Sequence, residues 1–184
     1  MVGAFWDGAG GVFFDTAIDQ ERLVVRPQDV TDNAIPSGTS LAVDVLLHAG
    51  MLLGEASWTD KARATLARLA PTAAKAPLAF GRLLAALDFV LGRTVELAVI
   101  GKLDDPTMAG FLDVIRERFL PNRLVAVAAP DSASGTMPLL ADRRAIDGKT
   151  TGYLCEGFVC QAPTTDPAEL ARQLDGFRAT AGAT

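Results

Sequence analysis

The chain has one histidine, one tyrosine and two cysteines among 184 residues. Cys155 and Cys160 are too few to frame a disulfide-stapled secreted fold. Nor can they complete a Cys/His zinc site, because the single histidine, His48, is distant in sequence; neither a metal nor a cofactor is expected. Basic charge is in short supply as well. Lys and Arg number 17 against 22 Asp and Glu, a net charge of −5, and the basic residues are scattered, which argues against nucleic acid or an anionic membrane as partner. Long apolar runs are missing. Asp44, Arg82 and Asp88 interrupt the best candidates before the roughly 18 residues that a spanning helix needs. The stretch Met1–Asp7 lacks the basic start and long apolar core of a signal peptide. The expected location is cytoplasmic.

What is present is apolar: 49% of the residues are hydrophobic, enough for a real core in one large domain or two small ones. The chain is organised around Arg26–Ser40, R-P-Q-D-V-T-D-N-A-I-P-S-G-T-S, a turn-rich loop whose Ser37, Thr39 and Ser40 offer hydroxyls to a starting helix. From Leu41 to Leu53 the only strongly polar residues are Asp44 and His48. A helix so apolar on every side is buried in a larger body.

Read in order, Asp7–Phe14 is a glycine-rich turn leading into aromatics, and Leu23-Val24-Val25 reads as a short strand of a β-hairpin excursion. The first long helix runs from near Ser37 to Gly54. A second is expected with Thr59 as N-cap and Ala62, Leu66 and Leu69 inward, punctuated by Pro71. A third has Pro77 near its first turn, Phe80, Leu83, Leu84, Leu87 and Leu91 on its apolar face, and Gly92 as its stop. After Arg93 the pattern changes. Val95–Ile100 reads as a strand. Asp105-Pro106 opens a helix with Met108, Phe111, Leu112, Ile115 and Phe119 inward and Pro121 at its end, and Leu124–Ala129 is a second strand. This order implies a parallel βαβ unit with a right-handed crossover. A turn at Asp147-Gly148, a strand or hairpin over Tyr153–Cys160 and a capping box at Asp166–Glu169 complete the pattern.

Three stretches, G-G-V-F-F-D-T at Gly10–Thr16, the loop Arg26–Ser40 and G-K-T-T-G-Y-L-C-E-G-F-V-C-Q-A-P-T-T-D-P-A-E-L at Gly148–Leu170, together resemble the C-terminal region of the YyaL-type (spermatogenesis-associated) thioredoxin-domain proteins. In that family a thioredoxin-like domain precedes a barrel of helical hairpins similar to N-acylglucosamine epimerases and six-hairpin glycosidases. Thr39 stands where the family has Asn, and Asn33 where it has Gly. Neither the thioredoxin-like domain nor its redox motif is in this sequence, so the expectation is the last portion of a longer protein. The residue pattern, with the resemblance supplying the barrel, gives a mixed α and α/β fold as the expectation. Residues 1–93 would form a partial helical-hairpin (α/α toroid-like) segment, and 94–184 a small α/β segment. The resemblance also implies a carbohydrate or polyol ligand, with no activity fixed.

The candidate chemistry sits in three places. Ser37, Ser40, Asp44 and His48 share one helix face: either Asp44 orients His48 as a base towards a ligand funnel, or the group is a solvated edge with an ion pair, which is the preferred reading. The loop carries Asp15, Asp19, Asp29 and Asp32 with Arg26. Glycoside chemistry needs two carboxylates, and the loop can supply one, yet Asx residues beside Pro and Gly are commonly turn formers and Arg26 can pin the loop through Asp32. Asp32, Asp44 and His48 are therefore the catalytic candidates, and Arg26, Asp29, Asp32, Ser37 and Ser40 the ligand-binding ones. Cys155 and Cys160 are the redox candidates. Their spacing is not that of a thioredoxin motif; on one strand they point to opposite faces, whereas a hairpin centred on Gly157-Phe158 brings them opposite one another. Reduced, packed thiols are expected. Gly101-Lys102 lacks the spacing of a phosphate-binding loop. The apolar helix Leu41–Leu53 leads to an expected homodimer, or association with a missing upstream portion. The competing functions are processing of a sugar-like substrate and a non-catalytic scaffold serving a thioredoxin-like domain.

Overall fold

In the computed structural model, which describes residues 2–21, 24–130, 137–157 and 159–181, the chain divides into two compact units, Met1–Leu91 and Gly92–Thr184. The described residues form six α-helices and two small sheets, a mixed α and α/β fold.

The first unit opens with a short helix α1 (Val2–Phe5) and a two-residue hairpin, β1 (Trp6–Asp7) and β2 (Val12–Phe13), paired Trp6 to Phe13. The rings of that pair meet edge-on at 4.9 Å, and Gly11 closes the turn at φ 65°. Three helices follow: α2 (Gly38–Leu53), α3 (Ala56–Lys75) and, after a 3-10 turn at Pro77–Ala79, α4 (Gly81–Leu91). The ends of α2 fall where its caps put them. Ser37 Oγ accepts from Ser40 N–H, and left-handed Gly54 (φ 72°) reverses the chain while Glu55 N–H closes on the Gly50 carbonyl at 2.8 Å. Gly50 also lets α3 approach, since a Cβ there would lie 2.8 Å from Thr59 Cγ2. Val43, Leu46 and Leu47 of α2 are buried in the same unit as Leu66 and Leu69 of α3 and Phe80, Leu83 and Phe89 around α4.

Several expectations for this unit need correction. The reversal at Gly54 starts α3 at Ala56, so Thr59 lies inside the first turn and its hydroxyl bonds back to the Ala56 carbonyl. Pro71 does not end α3, which continues to Lys75. Pro71 and Ala67 are both on the exposed side, where the carbonyl that loses its N–H partner turns to water. The buried face of α4 is Phe80, Leu83, Ala86 and Phe89, while Leu91 is exposed. Val24 and Val25 form no strand and are exposed; Leu23 lies outside the described residues.

The second unit is a four-stranded sheet in the order β4-β3-β5-β6, made of β3 (Val95–Ile100), β4 (Arg123–Ala128), β5 (Thr151–Glu156) and β6 (Val159–Cys160). β3 and β4 are parallel and joined through α5 (Pro106–Arg116), while β5 returns antiparallel beside β3. The last helix is α6 (Pro167–Ala181). Val95, Leu97, Val99 and Leu154 of the sheet pack with Met108, Phe111 and Ile115 of α5 and Leu170, Leu174 and Phe177 of α6. Asp105 caps α5 by accepting from Thr107 N–H at 2.8 Å. The helix stops at Arg116, short of Pro121, which leaves Phe119 exposed. Asp147 and Gly148, both left-handed, make a two-residue turn closed by the Ile146–Lys149 bridge. Only half of the expected capping box forms. Asp166 Oδ1 accepts from Ala168 N–H, but the Glu169 carboxylate pairs with Arg172 and Asp166 N–H goes to Thr164 Oγ1.

Candidate functional site

The organising loop acts through one carboxylate. Asp32 is buried, and its Oδ1 accepts the Ser37 N–H at 2.9 Å, at the start of α2. Its Oδ2 accepts from Arg82 N–H at 2.8 Å and Leu83 N–H at 3.2 Å, in the first turn of α4. Its own N–H donates to the Ala79 carbonyl at 2.8 Å. Helix starts leave their first N–H groups without intrahelical partners, and the side chain of Phe80, ahead of Gly81, has no acceptor to offer Arg82 and Leu83 N–H. Asp32 reaches across from fifty residues away to do so. Burial pushes its carboxyl up, but the Ser37 N–H, the Ser40 hydroxyl and the Leu83 and Arg82 N–H groups outweigh that and hold it below its ordinary value of 3.8. Ser37 and Ser40 bond to each other, Oγ to Oγ at 3.0 Å.

The second group is held along α2. The Asp44 carboxylate pairs with the Arg82 guanidinium through Oδ2, a partner that the sequence reading missed although Arg82 is a lone cation at an apolar helix start. His48 Nδ1 lies 2.9 Å from the Asp44 carbonyl oxygen and 3.5 Å from Oδ1. A carbonyl can only accept, so Nδ1 carries the proton. The imidazole ring stacks on Phe89 at 4.3 Å. Asp44 therefore serves Arg82 first and orients His48 mainly through its backbone.

Arg26 and Asp29 lie away from this cluster. The Arg26 guanidinium donates to the Ala4 and Thr16 carbonyls and covers the Phe14 ring at 3.8 Å, so it pins the N-terminal segment and does not pair with Asp32. Asp29 Oδ1 accepts from both Thr31 N–H and Thr31 Oγ1, a local turn; those bonds hold its carboxyl below the ordinary value. Its N–H donates to Asp15 Oδ2 at 2.8 Å. Asp15 and Glu21, with Phe5, Thr16, Ala17 and Gln20, line an open depression of about 440 Å3. Glu21 and Gln20 were not among the sequence candidates, because nothing in their spacing marks them.

In the second unit Cys155 and Cys160 form a disulfide, with sulfurs 2.11 Å apart. The expectation of reduced thiols is corrected by register: β5 and β6 pair antiparallel with Cys155 opposite Cys160. Nor are both packed, for Cys155 is buried and Cys160 is exposed. Arg143 Nη2 lies 3.1 Å from each sulfur, a neighbour that sequence distance concealed.

The chain is similar to spermatogenesis-associated protein 20. It is 26% identical to the human protein and 27% to the rat protein, each over an alignment of 174 residues that covers 92% of this chain. An uncharacterized Caenorhabditis elegans protein is 25% identical over 176 residues. The chain spans only 22% of the length of spermatogenesis-associated protein 20 in human and rat, a span consistent with one piece of a larger protein. No family model matches the chain. Among the described residues no helix is long and apolar enough to cross a membrane, and no three His, Cys, Asp or Glu side chains are grouped to hold a metal.

Proposed function

We propose that the chain is a non-catalytic interaction module, one part of a larger protein like spermatogenesis-associated protein 20, and that it offers a face of α2 to a partner surface. The observation that carries this reading is a contrast along one helix. Asp32, Ser37 and Ser40 are committed to helix N–H groups and to one another and Asp44 to Arg82, while Leu41 and Val45, one turn apart, stay 44% and 50% exposed. Exposed apolar side chains without converging polar groups suit docking better than catalysis. By family resemblance the partner is a thioredoxin-like domain or the neighbouring helical hairpins of a barrel, in a cytoplasmic setting. Sedimentation velocity at micromolar concentration tests it. The chain should self-associate or bind a hydrophobic dye, and Val45→Glu should abolish both with the helix content intact. A compact monomer that binds no dye overturns the proposal.

The depression lined by Asp15 and Glu21 favours a second reading, a sugar-like polyol held by two carboxylates, Thr16 and Gln20. In that reading the barrel-like ancestry would have kept a carbohydrate-binding or carbohydrate-processing role. Calorimetric titration with glucose and N-acetylglucosamine decides it. Millimolar or tighter binding that is lost in Asp15→Asn supports it, and no heat at millimolar sugar removes it.

A further inference from the structure

The second unit holds a feature that the scaffold reading does not use. We propose that Cys155–Cys160 is a thiol–disulfide exchange site whose substrate is a dithiol, and that Arg143 is the positioning residue for the thiolate it releases. The two sulfurs are not equivalent. Cys155 is buried inside β5 beneath its neighbours, whereas Cys160 is exposed on the two-residue edge strand β6. A nucleophile from solvent therefore meets Cys160 Sγ first, and Cys155 is the leaving group.

Arg143 is placed for that departure. Its Nη2 is 3.1 Å from both sulfurs, and its Nη1 donates to the Leu139 carbonyl, which fixes the guanidinium. No carboxylate among the described residues forms an ion pair with it, and its Nε is buried without an acceptor. Disulfide sulfur is a weak acceptor, so a guanidinium set against it gains little in the oxidised state. A thiolate is a full anion, and a neighbouring cation stabilises it and lowers the thiol pKa. A positive charge that also covers the Tyr153 ring at 5.8 Å but has no carboxylate partner among the described residues thus favours the reduced products and the path to them. Beside Cys160 lies a groove of about 310 Å3 lined by Leu154, Val159, Gln161, Phe177 and the Arg93–Glu156 ion pair. It gives a second reactant room beside the exposed sulfur.

The step balances as ordinary exchange. One thiolate of the dithiol attacks Cys160 Sγ and forms a mixed disulfide; the Cys155–Cys160 bond breaks, and its electron pair leaves with Cys155 as a thiolate against Arg143. The second thiol of the dithiol, once deprotonated, attacks its own partner sulfur in the mixed disulfide and releases Cys160. The dithiol leaves as a disulfide, the protein pair has gained two electrons, and protons return from solvent.

The test measures reduction of the native full chain by dithiothreitol, read by mass-tag alkylation. Reduction should go to completion with the far-ultraviolet circular dichroism unchanged. Arg143→Gln should slow it by about tenfold or more, and Arg143→Lys should restore part of the rate. A second arm does not depend on Arg143. Iodoacetamide should label Cys160 in Cys155→Ser protein much faster than Cys155 in Cys160→Ser protein. Equal reduction rates in wild type and Arg143→Gln overturn the proposal. So do reduction only after denaturant unfolds the chain, the reverse labelling order, and thiols that oxidised glutathione fails to couple.

Discussion

Replacing Asp32 by alanine tests the central structural claim, that this carboxylate ties two helix starts together. Three backbone N–H groups lose their acceptor: Ser37 at the start of α2, and Arg82 and Leu83 at the start of α4. Losing a helix cap costs about 1 kcal/mol, and a buried N–H left without a partner costs about 1–3 kcal/mol. Water can refill part of the vacated space, so a net loss of about 3 kcal/mol is expected. For a chain of this size that corresponds to a fall in Tm of roughly 6–12 °C. Asp32→Asn keeps one good acceptor oxygen and should fall between the two.

The acid limb supplies a second readout of the same claim. The folded Asp32 carboxyl is held below its ordinary value of 3.8, so its stabilisation is fully present above that value. It is lost as pH falls through the lower folded value. Urea melts repeated from pH 6 downward should show a steeper loss below 3.8 in the wild type than in Asp32→Ala. An Asp32→Ala protein that melts like wild type at neutral pH and keeps the full acid dependence would refute the reasoning.

Two further substitutions probe the second unit. Gly152→Ala would place a Cβ 2.7 Å from Phe111 Cε1 and 3.0 Å from Cδ1, so the ring must shift and the urea midpoint should drop by an amount equivalent to about 1–3 kcal/mol; an unchanged midpoint would mean that the ring has room to move. Arg93 holds the Glu156 carboxyl below its ordinary 4.5 through two hydrogen bonds of 2.6 and 2.7 Å. In Arg93→Ala the Glu156 titration followed by NMR should move up towards 4.5, and no movement would show that the pair is not populated in solution.

Elements were legible in the sequence where local chemistry decides them. Ser37 and Gly54 delimit α2, Asp105-Pro106 opens α5, and the run Val95–Ile100 is β3, because caps, fixed φ and apolar runs are written within a few residues. Reading failed where tertiary context overrides local preference. Pro71 reads as a stop but is tolerated on an exposed side of α3. Val24 and Val25 have strand propensity but find no strand to pair with. Leu91 fits the apolar spacing of α4 yet sits in its last turn and is exposed.

The same distinction governs the candidate site. Sequence ranks Asp32, Asp44 and His48 by residue type, whereas chemistry depends on the lone pairs that remain after the fold has used its share. Asp32 has two oxygens, and the starts of two helices occupy both. A carboxylate so occupied, with its pKa depressed, is a poor proton donor and a poor base near neutrality. Asp44 has given one oxygen to Arg82, a partner 38 residues away that no spacing rule could supply. Arg143 presents the opposite case. It stands in a stretch rich in Ser, Gly, Asp and Arg with no regular apolar spacing, yet its charge meets no carboxylate among the described residues and faces two sulfurs. In the exchange reading proposed for Cys155–Cys160, chemical capacity therefore rests less on the most suggestive motif than on a cation that meets no carboxylate among the described residues.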